Sequence, residues 1–215
     1  MTNQGHKLLD DRQLAVIESA FQRGSADASQ ALATWIGKPS VIEITSLDQL
    51  PLAEATELLA DGDEPICFCS AEIQGVLGGE LILAFDDASG LALADLLLDS
   101  PQGAAAEWNE MATSAALETT NILGCAFLNS LSRCFSNQVD SRELLPTPPK
   151  FSRDYAASLL EFALMGQAMA SDQVIVARTK FEVDDAPVDW TLLFVPDAES
   201  MARLPDLLSG ERAEP

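Results

Sequence analysis

An internal repetition limits the folds open to this chain, because one pattern of helices and strands occurs twice along its 215 residues. Each copy predicts a long helix, a strand with proline, a short helix, a hairpin of two strands and a final short helix. Neither copy has enough strands to bury its own long helix. We therefore expect a single α+β domain over residues 1–215, in which two pseudo-symmetric repeats, 11–98 and 107–209, share one sheet core.

The predicted elements follow from the periodicity of apolar residues and from turn signals. The first long helix, 12–36, has an apolar stripe formed by Leu14, Ile17, Phe21, Ala28, Leu32 and Trp35. The rest of the first copy is predicted as strand 41–44, helix 51–60, hairpin strands 67–76 and 80–85, and helix 90–98 with Ser89 as its cap. The second copy is predicted as helix 111–135, an extended proline-rich piece 144–151, helix 154–169, strands 174–183 and 190–195 around a turn at 184–187, and helix 200–208.

The charge of the chain limits its partners. It carries 34 acidic and 12 basic residues, a net charge of −22, with an apolar fraction of 47% that is typical of a folded globular protein. Such a surface repels phosphate backbones and anionic lipids, so neither nucleic acid nor a membrane is an expected partner. No stretch approaches the roughly 20 apolar residues of a membrane span, and residues 1–11 lack the apolar core of a signal peptide. We therefore expect a cytoplasmic protein.

Several common chemistries are disfavoured by the residue inventory. The only histidine is His6, so a Ser-His-Asp or Cys-His arrangement is not expected. The sequence contains neither a phosphate-binding glycine loop with lysine nor a dinucleotide fingerprint. Cys67 and Cys69 share one face of a predicted strand and are candidate metal ligands, but their spacing matches no paired zinc pattern. Buried free thiols in a reducing cytosol are the favoured alternative.

The second long helix carries the candidate functional residues. At 100° per residue, Ser114 lies about 40° and Asn121 about 60° from Glu118, on one side of the helix. The opposite side carries the apolar residues Ala116, Leu123, Phe127 and Leu131. Glu118 and Asn121 are therefore expected to be presented outward together, one turn apart. Taken alone, the same pattern also describes an ordinary solvated helix face.

The wider context of this helix resembles a known family. The runs 117–123 and 127–132, followed by Leu-Pro-Thr-Pro-Pro at 145–149, resemble the second signature of the CheC/CheX/FliY phosphatases. In that signature Ser or Asp is followed after three residues by Glu, after two more by Asn, and later by proline. Ser114, Glu118, Asn121 and Pro146 occupy these positions, with the proline slightly later than usual. The first copy is similar to the family in run 27–32, in the Gly-Lys at 37–38, in the Leu-Pro-Leu at 50–52 and in its Gly-Gly hairpin.

The resemblance implies a CheC-like fold and a phosphatase that removes phosphate from the aspartate of a CheY-like receiver domain, in chemotaxis or related two-component signalling. By the family's precedent, Asn121 orients the attacking water and Glu118 pairs with the lysine that receivers keep beside the phospho-aspartate. Ser114 is expected to border the partner interface. Mg²⁺ is expected on the receiver's own acids, so no metal or cofactor is expected on this chain.

The first copy departs from the family pattern. Aligning Ala31-Leu32 with Ser130-Leu131 places Ser19 and Gln22 where the second copy has Glu118 and Asn121, while Glu18 is one residue out of register. We therefore expect one working site. The alternative is a non-catalytic CheC-like module that binds a receiver, a CheD-like deamidase or the flagellar switch. An acidic mimic of nucleic acid is a third reading, which the compact, repeated and apolar-rich pattern disfavours.

Overall fold

The computed structural model describes residues 9–51, 54, 55, 57, 64–135, 143–156, 158, 173–183 and 186–208. Within these residues the longer helices are α1 (Asp11–Ile36), α2 (Asp87–Leu97), α3 (Glu110–Ser132) and α4 (Ala198–Leu208). The strands of the same residues are β1 (Ser40–Pro51), β2 (Ile66–Gly75), β3 (Gly79–Phe85), β4 (Leu144–Pro146), β5 (Lys150–Asp154), β6 (Gln173–Val183) and β7 (Ala186–Pro196). No described helix is both long and apolar enough to cross a bilayer.

The strands form one antiparallel sheet whose order reflects the repetition of the sequence. The order is β1-β6-β7-β3-β2-β4, with β5 also paired to β2. When each strand of the first copy is exchanged for its counterpart in the second, the same order is read in reverse. The reversed order indicates an approximate two-fold axis between β3 and β7, near the point where Leu83 lies opposite Leu192. The predicted α+β fold of two repeats sharing one sheet is confirmed, whereas the repeat boundaries 11–98 and 107–209 remain a prediction.

The main core lies between one face of the sheet and the two long helices. Phe21 of α1 and Phe127 of α3 have ring centroids 5.3 Å apart, and Phe21 also contacts Phe194 of β7 at 5.9 Å. The helices approach closely at Gly24, where a Cβ atom would lie 2.8 Å from Cδ1 of Phe127. Cys67 and Cys69 are buried free thiols in this core. Each long helix is thus buried by strands of both copies, because the sheet beneath it interleaves them.

The other face of the sheet also carries a buried apolar cluster. Its members include Ile82 and Ala84 of β3, Val176 of β6 and Leu193 of β7. Ala55 and Ala156 join it from the helical residues that follow β1 and β5. The central strands are therefore nearly continuous apolar runs, because strands buried on both faces have no solvated side.

Strand bounds differ from the predictions where long-range pairing decides them. Strand β1 runs from Ser40 to Pro51 because it pairs with β6 along its whole length, with a register shift between Ile44 and Ser46. The predicted strand 41–44 was therefore too short, and the predicted helix 51–60 cannot begin at Pro51, which ends β1. Residues 52, 53, 56 and 58–60 of that predicted helix lie outside the described residues. The predicted helix 154–169 also begins too early, since Asp154 ends β5, and its residues 157 and 159–169 lie outside the described residues.

Two smaller predictions are wrong for local reasons. Helix α2 begins at Asp87, not at Gly90, because Asp86 is its cap and accepts a hydrogen bond of 2.6 Å from the backbone N–H of Ser89. Trp35 is exposed, although its position continues the apolar stripe of α1. It lies in the last turn before Gly37, whose positive φ of 73° ends the helix. Strand β7 begins at Ala186, four residues before its predicted start, because residues 186–189 pair with β6; residues 186–187 of the predicted turn therefore belong to the strand, and residues 184–185 lie outside the described residues. The predicted extended piece 144–151 consists of the two strands β4 and β5, and the other elements begin or end one to three residues from their predicted bounds.

Candidate functional site

Helix α3 is held in one rotational position by its cap and by its apolar face. Asn109 caps the helix by accepting a hydrogen bond of 2.9 Å from the backbone N–H of Ala112. The buried hydroxyl groups of Thr119 and Thr120 donate to backbone carbonyls one turn earlier, so they need no other partner. The side that faces the core carries Ala116, Leu123, Phe127 and Leu131, all buried as predicted. This orientation leaves the side of Glu118 free of the core.

The structure brings the three predicted site residues to one surface groove, called here the site groove. Ser114, Leu117, Glu118 and Asn121 of α3 form one wall, and Pro146, Pro148 and Pro149 form the other. The groove has a volume of about 470 Å³ and is open to solvent. Ser114 and Glu118 are exposed, and Asn121 is partly buried at the base of the same helix face. A carboxylate and a carboxamide one helical turn apart therefore face the same opening.

The proline wall is positioned by the sheet and not by the helix. Pro146, the last residue of β4, lies opposite Ile73 of β2. Beyond it, the backbone N–H of Thr147 donates to the carbonyl of Glu72 at 2.9 Å, and its hydroxyl oxygen accepts from the N–H of Glu72 at 3.0 Å. This pair of hydrogen bonds fixes the connection between β4 and β5. Pro148 and Pro149 cannot extend the ladder, since proline has no N–H, and they face α3 instead.

The polar groups of the site groove are available to a partner. Among the described residues, no hydrogen bond or ion pair engages the side chains of Glu118 and Asn121. Cys125, one turn beyond Asn121, has a raised pKa because of burial and, secondarily, because of the negative charge of Glu118. The groove thus offers one negative charge, one neutral amide with both donor and acceptor atoms, and the hydroxyl of Ser114. It can accept a cationic group and orient a small polar molecule at the same time.

The corresponding surface of the first copy has a different chemistry. Ser19, at the position equivalent to Glu118, accepts a hydrogen bond of 2.8 Å from the guanidinium of Arg23. That guanidinium also donates to the sulfur of Cys134 at 2.7 Å. The amide of Gln22 is exposed and donates to Glu18 at 3.5 Å. At the position of Glu118 the first copy therefore has a hydroxyl group beside the positive charge of Arg23, and the amide of Gln22 contacts a carboxylate of its own helix.

The full extent of the site groove was not predictable from the sequence. Leu117, Pro148 and Pro149 line the site groove, but no role was predicted for them. The Pro-Pro pair after β4 is the available signal, because two prolines end strand pairing at a defined point. Which helix such a segment faces depends on the pairing of β4 with β2, and the local sequence does not encode that pairing.

Solved structures of several proteins have the fold of this chain. Thermotoga maritima FliY matches with a TM-score of 0.72 and 16% identity, over 95% of this chain and 99% of that chain. FliM from H. pylori, in a complex with SpeE, matches with a TM-score of 0.68 and 13% identity, over 94% and 96% of the two chains. The FliM middle domain from H. pylori matches with a TM-score of 0.66 and 13% identity, over 94% and 100%.

No protein-family model matches the sequence, and no curated protein matches it significantly. At identities of 13–16%, the structural likeness establishes the shared fold alone, since one fold supports different functions. The chain has the fold of FliY and of the FliM middle domain, which confirms the CheC-like architecture implied by its resemblance to the CheC/CheX/FliY family.

Proposed function

We propose that this protein is a phosphatase for the aspartyl phosphate of a CheY-like receiver domain in chemotaxis or related two-component signalling. The observation that carries the proposal is the placement of Glu118 and Asn121 in one open groove, with side chains that no described residue engages. The alternative reading, an ordinary solvated helix face, does not account for a second wall opposite the helix. Here Pro146, Pro148 and Pro149 supply one, which gives the groove a defined width for a partner's surface.

Asn121 is the proposed catalytic residue. Hydrolysis of an aspartyl phosphate requires a water molecule in line with the scissile bond, and positioning with charge stabilisation supplies most of the catalysis. The carbonyl oxygen of the amide accepts a hydrogen bond from the water, and its NH₂ group donates to a phosphoryl oxygen. A neutral amide suits this role because it does not repel the phosphoryl group. The partly buried position of Asn121 restricts its side chain before the partner arrives.

Glu118 and Ser114 are proposed to place the partner. The carboxylate of Glu118 would pair with the lysine beside the receiver's phospho-aspartate, and such an ion pair mainly sets register and association rate. Ser114, one turn earlier, would border the contact. Mg²⁺ would remain on the receiver's carboxylates, and this chain would supply no metal ligand. This role requires a cytoplasmic location, which is part of the proposal.

The proposal is tested by phosphate release from receiver domains phosphorylated with a small phosphodonor. Asn121→Ala should lower the accelerated rate by about a hundredfold, the effect of removing one positioned polar group. Glu118→Ala should mainly raise the receiver concentration needed for half-maximal rate. Gln22→Ala, at the equivalent position of the first copy, should leave the rate within about twofold, since Ser19 bonded to Arg23 stands there in place of the carboxylate of Glu118. A comparable loss in Gln22→Ala would disprove the single-site assignment.

The second candidate is a binding module without catalysis, acting on a receiver, on a CheD-like deamidase or in the flagellar switch. The fold supports this candidate, because H. pylori FliM has the same fold and forms complexes with SpeE and FliG. In the first copy, Arg23 is bonded to Ser19 at the position of Glu118. A protein that only binds its partners would not need the Glu-Asn pair in both copies. A module of this kind would bind the phosphorylated receiver and leave its half-life unchanged.

A further inference from the structure

A second groove lies directly beside the site groove, and its floor is apolar. It has a volume of about 640 Å³ and is formed where the ends of α1 and α2 meet the first turns of α3. Its large apolar residues are Trp35, Leu97, Leu98 and Met111. Trp35 is 45% exposed, Leu98 37% and Met111 60%, which makes them half of the large exposed apolar side chains among the described residues. We call this surface the apolar groove.

The fold itself does not require this exposure. In the other copy, the residues at the positions of Trp35 and Leu98 are Cys134 and Leu208, and both are buried. The position of Met111 is taken by Arg12, which is exposed and charged. At these three positions the other copy therefore builds the same architecture without an exposed apolar side chain. Exposed apolar side chains that cluster in one place are characteristic of interaction sites.

The apolar groove is continuous with the site groove. Ser114 and Glu118 line both of them. Met111, Ser114 and Glu118 are spaced by three and four residues, so they form one stripe along α3. A specific interface covers about 800 Å² of each partner, far more than one carboxylate and one amide present. A partner seated on Glu118 and Asn121 must therefore cover neighbouring surface as well, and where it extends along this stripe toward Met111 it meets the apolar groove.

Resting on the proposed function, we propose that the apolar groove is the second part of the receiver docking surface. It would bind an apolar side chain of the receiver. That side chain would lie about 10 Å from the lysine that pairs with Glu118, because the helix rises by about 10 Å between Met111 and Glu118. Glu110 and Glu118 border the groove, so basic groups on the receiver would complement its rim. The groove contacts no reacting atom. It therefore contributes to affinity for the receiver and not to the chemical step.

The test compares steady-state dephosphorylation of a phosphorylated receiver by the wild-type protein and by Met111→Ser and Trp35→Ala. We expect each variant to raise KM by roughly tenfold with kcat unchanged, as for a truncated interface anchor. Tyr155→Ser is the matched control, because Tyr155 is 54% exposed and lines neither groove; its KM should equal that of the wild type. Thermal melts establish that each variant is folded, and Met111→Ser, at a largely exposed position, guards against misfolding of the Trp35 variant.

The possible outcomes separate the two proposals. A wild-type protein that accelerates no receiver would overturn the proposed function, and the docking proposal with it. An active wild-type protein whose KM is the same in both variants would overturn the docking proposal alone. If KM is unchanged and the variants shift the protein from dimer to monomer in sedimentation, the groove binds a second copy of the chain, and the docking proposal is equally wrong.

Discussion

Replacing Gly24 by alanine is predicted to destabilise the protein, although alanine is the better helix former. Gly24 is buried in α1 at its crossing with α3. An added Cβ would lie 2.8 Å from Cδ1 and 2.9 Å from Cα of Phe127, and 3.2 Å from the carbonyl oxygen of Ala126. Two of these three atoms belong to the backbone of α3, which cannot move aside as a flexible side chain can. The two helices must therefore separate locally.

The size of the effect follows from two opposing contributions. Replacing glycine by alanine inside a helix stabilises it by about 1 kcal/mol. Forcing an extra methyl group into a packed contact costs about 1–3 kcal/mol, and a backbone neighbour places Gly24 at the upper end of that range. We therefore expect a net loss of about 1–2 kcal/mol in the free energy of unfolding.

Gly124 of α3 provides a matched control for this prediction. A Cβ at Gly124 would approach a methyl carbon of Leu81 at 3.3 Å and side-chain carbons of Pro146 at 3.6 and 3.7 Å, contacts that small shifts can relieve. Gly124→Ala should therefore be stabilising or change stability by less than about 0.5 kcal/mol. Urea unfolding followed by circular dichroism measures both, and Gly24→Ala should lower the midpoint by about 0.5 M. Equal or higher stability of Gly24→Ala would refute the close approach of the two helices.

Two further predictions concern side chains that hold the connection between the repeats. Hydrogen bonds from Arg153, opposed by partial burial, lower the pKa of Asp87 from 3.8 to about 2, with further bonds from Trp108 and Cys67. The ionised carboxylate of Asp87 therefore contributes its full stabilisation above about pH 4, and this contribution is lost as the pH falls toward 2. Because the side chain is 37% exposed, we expect only about 1 kcal/mol, measured as a smaller acid-induced loss of stability in Asp87→Asn than in the wild type. The carboxylate of Asp95 is buried and accepts from the backbone N–H groups of residues 103, 104 and 105 at 2.7–3.0 Å. Asp95→Ala should cost about 2 kcal/mol and speed proteolysis of segment 100–106; an unchanged cleavage rate would contradict this role.

The repetition and the apolar periodicity were sufficient to predict the fold class. Two amphipathic helices and two hairpins with alternating apolar residues leave few other ways to bury their faces. The length of β1 was not predictable, because its pairing with β6 is formed between residues that are more than a hundred positions apart. The exposure of Trp35 was also missed. Periodicity identifies a helix face, but it does not show where the covering elements end.

Of the two walls of the site groove, only the one formed by α3 was predictable from the sequence. Helical geometry alone places Ser114, Glu118 and Asn121 on one side, since their angular separation follows from 3.6 residues per turn. The proline wall depends on the hydrogen bonds between Thr147 and Glu72, which no local pattern encodes. The same holds for the cluster around Asp87, which collects groups from three other segments of the chain.

In the proposed mechanism one amide on α3, that of Asn121, performs catalysis, and Asn129 provides a matched control. Asn129 is an exposed asparagine of the same helix, about two turns beyond Asn121, and it does not line the site groove. The decisive measurement is the half-life of a phosphorylated receiver with saturating wild-type protein, Asn121→Ala or Asn129→Ala, alongside the binding affinity of each for that receiver. We predict that Asn129→Ala shortens the half-life as the wild type does, whereas Asn121→Ala binds the receiver and leaves its half-life near the spontaneous value. A half-life shortened equally by Asn121→Ala would contradict the assignment.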